Sequence, residues 1–310
     1  MKPAVVWPDG RRFAFSIFDD PDSQTWEAGQ AVYALLQDLG FRTTKGVWPL
    51  GPIREPSDHG LTCAAPGYAD WIRKLIEAGF EIGYHCATSH TCSREESLQG
   101  LERFHELFGE YPKTAANHYF CSENLYWGDQ RLSGSRKAIY NALTRYKEKD
   151  RYFGCQASHP LFWGDLARER ITYMRNFAFS DANCFKSCPF LPYHDPARPF
   201  VNFWYSAAEG SSFANFRRTL TDAAIDRLEQ EAGLCLMYVH FGHRFYENGR
   251  LQPEFRRIME AIARRNGWFA PVGTILDYIR AQRGDHRISD AERAGLEWRW
   301  LRHKIRFGTA

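Results

Sequence analysis

The chain alternates short apolar runs with longer stretches of helical spacing. Residues 12–18 (RFAFSIF) form a continuous apolar run that ends at Asp19 and Asp20, the pattern of a strand buried on both faces. Residues 25–39 then place Trp26, Val32, Leu35, Leu36 and Leu39 at helical spacing and stop at Gly40. The pairing repeats. A strand is predicted over 41–50, a Pro- and Gly-rich loop over 49–67, and a helix over 68–78. A strand over 80–85 leads to a helix over 93–108, which opens on the capping-box pair Ser93 and Glu96. A strand over 113–117 ends beside His118, and 135–147 has helical spacing. Between 151 and 206 the pattern blurs, with short strand candidates at 152–156, 173–177 and 201–205. A helix over 213–233, the most apolar strand (234–240, LCLMYVH), a helix over 253–266 with Pro at its start, a short strand over 268–270 and a helix over 273–283 complete the alternation.

Strands alternating with helices imply an α/β fold with a mostly parallel sheet. About seven βα units fit a single barrel better than an open sheet with a second domain. We take 1–283 as that domain and 284–310 as a basic helical extension. Barrels of this kind carry their active sites at the C-terminal ends of the strands. Asp19, Asp20, His85, His118 and His240 all stand at such ends, and four strand ends converging is a specific signal.

Composition narrows the function classes. Forty basic residues are balanced by 37 acidic ones, too weak a bias for a nucleic-acid partner. No apolar run approaches the ~20 residues of a membrane span, and the first residues lack the apolar core of a signal peptide. A cytoplasmic protein is the expectation. The eight cysteines are scattered without a CxxC pair, which predicts reduced, buried thiols. Aromatic residues reach 15%, compatible with a carbohydrate-facing cleft or with an aromatic-rich core.

Adjacent carboxylates on an extended chain point to opposite sides, so Asp19 and Asp20 can take different roles, one holding a metal and one accepting a proton. Such a pair also serves as a solvated turn or a helix cap. His85 and His90 are five apart, about 140° around a helix, but in a loop after a strand both can reach one ion. An Asp with two His suits a divalent ion such as zinc. His240 ends the most apolar strand, with His243 three residues on, and is suited to general-acid work or to a core hydrogen bond.

These segments resemble a known family. Phe15-Ser16-Ile17-Phe18-Asp19-Asp20 is similar to the opening T/S-F-D-D motif of the polysaccharide deacetylases, the NodB-homology domain of carbohydrate esterase family 4. Glu81-Ile82-Gly83-Tyr84-His85 through Ser89-His90 resembles the family's E-I-G-x-H motif followed by S-H. Leu236-Met237-Tyr238-Val239-His240 resembles its late strand-plus-His motif. The resemblance spans residues 10–283. It implies a distorted (β/α)7 barrel and metal-dependent removal of an acetyl group from a sugar in a polysaccharide or its precursor, de-N-acetylation before de-O-acetylation. It implies Asp19 as general base, Asp20, His85 and His90 as ligands of a divalent metal, and His240 as general acid.

 Zinc is the expected ion. The placement also points to the NodB-like proteins of bacterial surface-polysaccharide and O-antigen synthesis.

Three departures from the family pattern stand out. The spacing is His85-x4-His90 where the family has H-x3-H. Pro21 stands where the family has Gly after the two aspartates. The Arg motif that steadies the catalytic Asp is missing, and Ala116-Asn117-His118-Tyr119-Phe120 occupies its place. His118 is therefore a candidate to replace that Arg, to contact sugar or to join the metal. Asn117, Tyr119, Asn124, Tyr126 and Trp127 are candidate substrate contacts, since aromatic faces pack on sugar rings and amides read hydroxyls. Two other readings stay open: an inactive NodB-like module that binds carbohydrate or a partner, and a hydrolase of a small amide or ureide. The tail, with Leu296, Trp300 and Ile305 partly aligned and 299–306 basic, either rests on a membrane surface near a lipid-linked substrate or packs on the barrel or a partner subunit.

Overall fold

All seven residues of β1 (Phe13–Asp19) are buried, which explains why its sequence is unbroken rather than alternating. The computed structural model describes residues 4–308; the outermost ends of the two expected units, 1–3 and 309–310, lie outside the described residues. Six strands run parallel to β1 and neighbour one another in chain order: β2 (Thr44–Val47), β3 (Glu81–Tyr84), β4 (Thr114–Ala115), β5 (Tyr173–Phe179), β6 (Phe203–Gly210) and β7 (Leu234–Val239). β7 pairs back onto β1 from Ala14↔Leu234 to Asp19↔Val239, which closes the barrel. A two-stranded hairpin follows, β8 (Tyr246–Glu247) with β9 (Arg250–Leu251).

The barrel is uneven. β1 meets β2 at two positions, Phe18↔Thr44 and Asp19↔Lys45, because β10 (Gly267–Phe269) pairs with the first half of β1. The Phe18 ring fills space inside the barrel against β3: a Cβ at Gly83 would lie 2.7 Å from it, so no larger residue fits there without moving that ring. The expected (β/α)7 barrel is the observed one, with the wedge of β10 as its distortion.

Eleven helices surround the strands among the described residues: α1 (Trp26–Asp38), α2 (Tyr68–Glu77), α3 (Arg94–Phe108), α4 (Gly134–Leu143), α5 (Gly164–Arg170), α6 (Cys184–Ser187), α7 (Phe213–Thr219), α8 (Asp222–Gln230), α9 (Pro253–Ala263), α10 (Val272–Arg283) and α11 (Asp290–Phe307). The capping box expected at Ser93 and Glu96 is formed at the start of α3. Three expectations differ from what is observed. The helix over 213–233 is two helices, because Thr221 turns its hydroxyl to the Ala224 N–H and starts α8 afresh. Residues 152–156 are irregular chain with a turn at 154–155, not a strand, held where the Phe153 N–H donates to the Ser122 carbonyl. α4 ends at Leu143, and Arg145 and Tyr146 take positive φ just beyond it.

α11 packs on the barrel through buried Leu296, Trp300 and Leu301, while Ile305 is exposed. Its buried Glu297 accepts from Ser133, from Arg136 Nε at 2.7 Å and from Arg198 Nη2 at 3.0 Å. No helix among the described residues is long and apolar enough to cross a membrane. All eight cysteines are free thiols, seven of them buried.

Candidate functional site

Beyond β1 the chain turns tightly. The Gln24 N–H donates to the Pro21 carbonyl, and Ser23 takes a φ of 53°. This turn swings Asp22 back over the mouth of the barrel. Gly242, following β7, presses on it so closely that a Cβ there would meet the Asp22 carbonyl at 2.4 Å. Close packing therefore fixes the carboxylate that enters the site.

Three side chains converge on one point. Asp22 Oδ2 lies 3.2 Å from His85 Nε2, and Asp22 Oδ1 lies 3.2 Å from His118 Nδ1. The two ring nitrogens are themselves 3.2 Å apart. A neighbour assigns the proton of His118. Ser57 Oγ donates to the Ser89 carbonyl at 2.7 Å, so at 2.8 Å from His118 Nε2 it can only accept. His118 Nε2 then carries the hydrogen, and Nδ1 turns a lone pair inward. His85 Nδ1 has no hydrogen-bond partner and lies 3.7 Å from Asp20 Oδ1, while its Nε2 faces Asp22. Burial lowers His85 from its ordinary pKa, against the pull of Asp20 and Asp22, and favours the neutral ring that ligates. Asp22 Oδ2 is buried without a hydrogen-bond partner. Three buried side chains that bring potential ligand atoms this close together form a group able to hold a cation, and one Asp with two His is a donor set that divalent zinc accepts. Asp22, His85 and His118 fit a metal.

Asp20 is held differently. Arg175, from β5, donates to both of its oxygens, at 2.9 and 2.6 Å, the bidentate geometry that orients a carboxylate. Burial alone would raise the Asp20 carboxyl, but Arg175, His85 and His240 outweigh it and hold it well below the usual range. His240 points Nε2 at Asp20 Oδ2, 3.5 Å away, and its Nδ1 donates to the Ser211 carbonyl at 2.7 Å. Burial would lower His240, but Asp22, Asp20 and that carbonyl raise it to about 9. The site thus pairs an ionised acceptor, Asp20, with a charged donor, His240.

These groups floor a cleft of about 370 Å³ whose walls include Tyr119, Trp127, Tyr140 and Arg131. His243 also borders a second, more open groove of about 710 Å³.

No family model matches the chain, and no curated protein matches it. Solved structures do. A protein from Mycobacterium smegmatis described as a candidate polysaccharide deacetylase is 14% identical, with a TM-score of 0.54 over 93% of this chain and 98% of that one. The PuuE allantoinase is also 14% identical, with a TM-score of 0.51 over 91% of this chain and 94% of that one. The chain shares their fold.

Within this barrel, the residues expected from sequence divide. Asp20, His85, His118 and His240 meet at the cleft. Asp19 does not face it: Asp19 is fully buried on the helix side of β1, with Lys45 Nζ at 3.0 Å and hydrogen bonds from Gln24, Tyr33 and the Phe241 N–H. His90 stands apart too. Its Nε2 accepts from the Ile53 N–H at 3.2 Å, and its Nδ1 faces the Thr91 carbonyl at 3.0 Å. Among the substrate-contact candidates, Tyr119, Trp127 and Asn117 line the cleft. Asn117 also brackets the backbone of Leu125 with both ends of its amide. Asn124 donates to the His118 carbonyl, and the Tyr126 hydroxyl accepts from the Phe200 N–H, so both act on the framework around the cleft.

Sequence reading missed Asp22 and Arg175. Each left a signal. Asp19, Asp20 and Asp22 are three acids in four residues, and Arg175 is a lone cation inside the apolar run YMRNFAF, where burial demands a partner.

Proposed function

We propose that the protein is a metal-dependent hydrolase that removes an acetyl group from an amino sugar in a polysaccharide or its precursor. The observation that carries this reading is the inward convergence of His85 Nε2, His118 Nδ1 and Asp22, beside an Arg-oriented carboxylate and a charged imidazole. Asp22, His85 and His118 hold the ion. A divalent ion there, zinc by its liking for such a donor set, makes an acetyl carbonyl more electrophilic and a water more acidic.

The remaining steps belong to the chain. Asp20, kept ionised and aimed by Arg175, takes the proton from the attacking water. His240 gives its Nε2 proton to the departing nitrogen, and its Nδ1–H bond to Ser211 keeps the ring facing the cleft. The products are acetate and a free amine. A donor that is charged at neutral pH suits an amine leaving group, which supports N- over O-deacetylation. The aromatic walls offer faces to a sugar ring. The adjoining groove at His243 supports a substrate longer than a small amide.

The test is acetate release from N-acetylated and O-acetylated sugars by zinc-loaded protein, beside Asp22→Asn. We expect release from N-acetylated sugars by the wild type alone. Absence of release from every acetylated sugar by metal-loaded protein would contradict the reading.

A further inference from the structure

One wall of the cleft carries charge that hydrolysis does not use. Arg131 ends the short turn Gly128–Arg131 and is 3% exposed. Its guanidinium is clamped between two indoles, 4.0 Å from the ring centre of Trp127 and 4.3 Å from that of Trp300. Its Nε and Nη1 have no hydrogen-bond partner among the described residues. Two acids near Arg131 have other donors. Asp129 accepts from Asn141 and pairs with Lys137 at 3.2 Å. Glu148 accepts from the Tyr152 hydroxyl at 2.7 Å and pairs with Arg151.

A second cation shares this wall. Lys304, one turn along α11 from Trp300, lines the same cleft, with Nζ 5.4 Å from the Trp300 ring centre. Burial and the adjacent Arg131 pull it down to about 8, against a weaker opposite pull from Glu209 and Glu148. Two cations on one wall of a cleft favour an anionic ligand there. Stacking on two indoles stabilises the cation and fixes its plane, but it supplies no acceptor for the two nitrogens.

We propose that Arg131 and Lys304 form an anion subsite, which receives a carboxylate or phosphate carried by the sugar in the cleft. The substrate class is then an acidic N-acetylated sugar, a sugar acid or a sugar phosphate. The link to an acetylated sugar rests on the hydrolase reading above. The anion subsite itself rests on Arg131, its two indoles and Lys304. It also gives α11 a role in the site that its position outside the barrel does not suggest.

Calorimetric titration of the full chain tests this with three probes: N-acetylglucosamine, its 1-phosphate, and 2-acetamido-2-deoxyglucuronic acid. We expect at least one anion to bind about tenfold or more tighter than the neutral sugar. The tighter of the two names the anionic group. Arg131→Gln abolishes the preference, Arg131→Lys restores part of it, and Lys304→Gln reduces it severalfold. Equal binding of all three probes overturns the proposal, as does a folded Arg131→Gln protein that keeps the preference. If Arg131→Gln does not fold, Lys304→Gln decides: an undiminished preference overturns the proposal. Binding of an anion without acetate release counts against the hydrolase reading and leaves the subsite standing.

Discussion

Asp19 and Asp20 are neighbours in the chain and opposites in circumstance. Asp19 faces the helix layer, fully enclosed, with Lys45 and three further donors around its oxygens. Asp20 faces the cleft, gripped by Arg175 on one side and open to His85 and His240 on the other. Both are buried carboxylates with a cation. The difference is what surrounds the pair: fixed donors at Asp19, titratable and ligating groups at Asp20. A buried ion pair is thus no sign of function by itself. Function is indicated where potential metal-ligand atoms converge, as at Asp22, His85 and His118.

This contrast can be broken from either side. The largest effects belong to the two extremes. Asp22→Asn should cut acetate release by about 10³-fold while the thermal midpoint stays close to wild type. Asp19→Ala leaves Lys45 buried and unpaired, and should destabilise the protein by about 3–5 kcal/mol in denaturant titration. An Asp19→Ala protein of wild-type stability would refute its structural role.

Arg175→Met should lower kcat by about 10²-fold, since Asp20 loses its orientation, with partial recovery in Arg175→Lys. A purely structural Arg175 would change stability and leave kcat alone.

His240 sharpens the comparison through pH. Its folded-state pKa is raised from 6.5 to about 9. Its charge therefore stabilises fully below about pH 6.5, and that contribution is lost as pH rises through 9. In metal-free protein, NMR titration should place His240 near 9, and His240→Gln should flatten the stability profile across that window. A midpoint near 6.5 would contradict the carboxylate environment described. The smallest effect is expected at His90: His90→Ala loses its bond from Ile53, about 1 kcal/mol, and keeps bound metal.

Much of this was legible in the chain. The unbroken run at β1, the capping box at Ser93 and the apolar strand before His240 each carry a local signal strong enough to fix an element. The strand ends at Asp20, His85, His118 and His240 marked the mouth of the barrel. What was not legible depends on tertiary placement. The cluster of three acids did not show which of them faces the cleft; the curvature of the turn after Pro21 decides that Asp22 enters the site. Arg175 lies 155 residues from Asp20, and no local pattern links them. The Ser89-His90 pair suggested His90 despite its extra residue of spacing, but the loop after β3 carries that ring to the Ile53 amide. The break at Thr221 was hidden because α7 and α8 continue one apolar spacing, and a single hydroxyl cap separates them.

Metal content is the most direct test of the donor set. Protein purified without chelator and supplied with zinc should carry about one equivalent in wild type and in His90→Ala, and lose it in Asp22→Asn, His85→Ala and His118→Ala. Loss of zinc from His90→Ala with retention in Asp22→Asn would contradict the account.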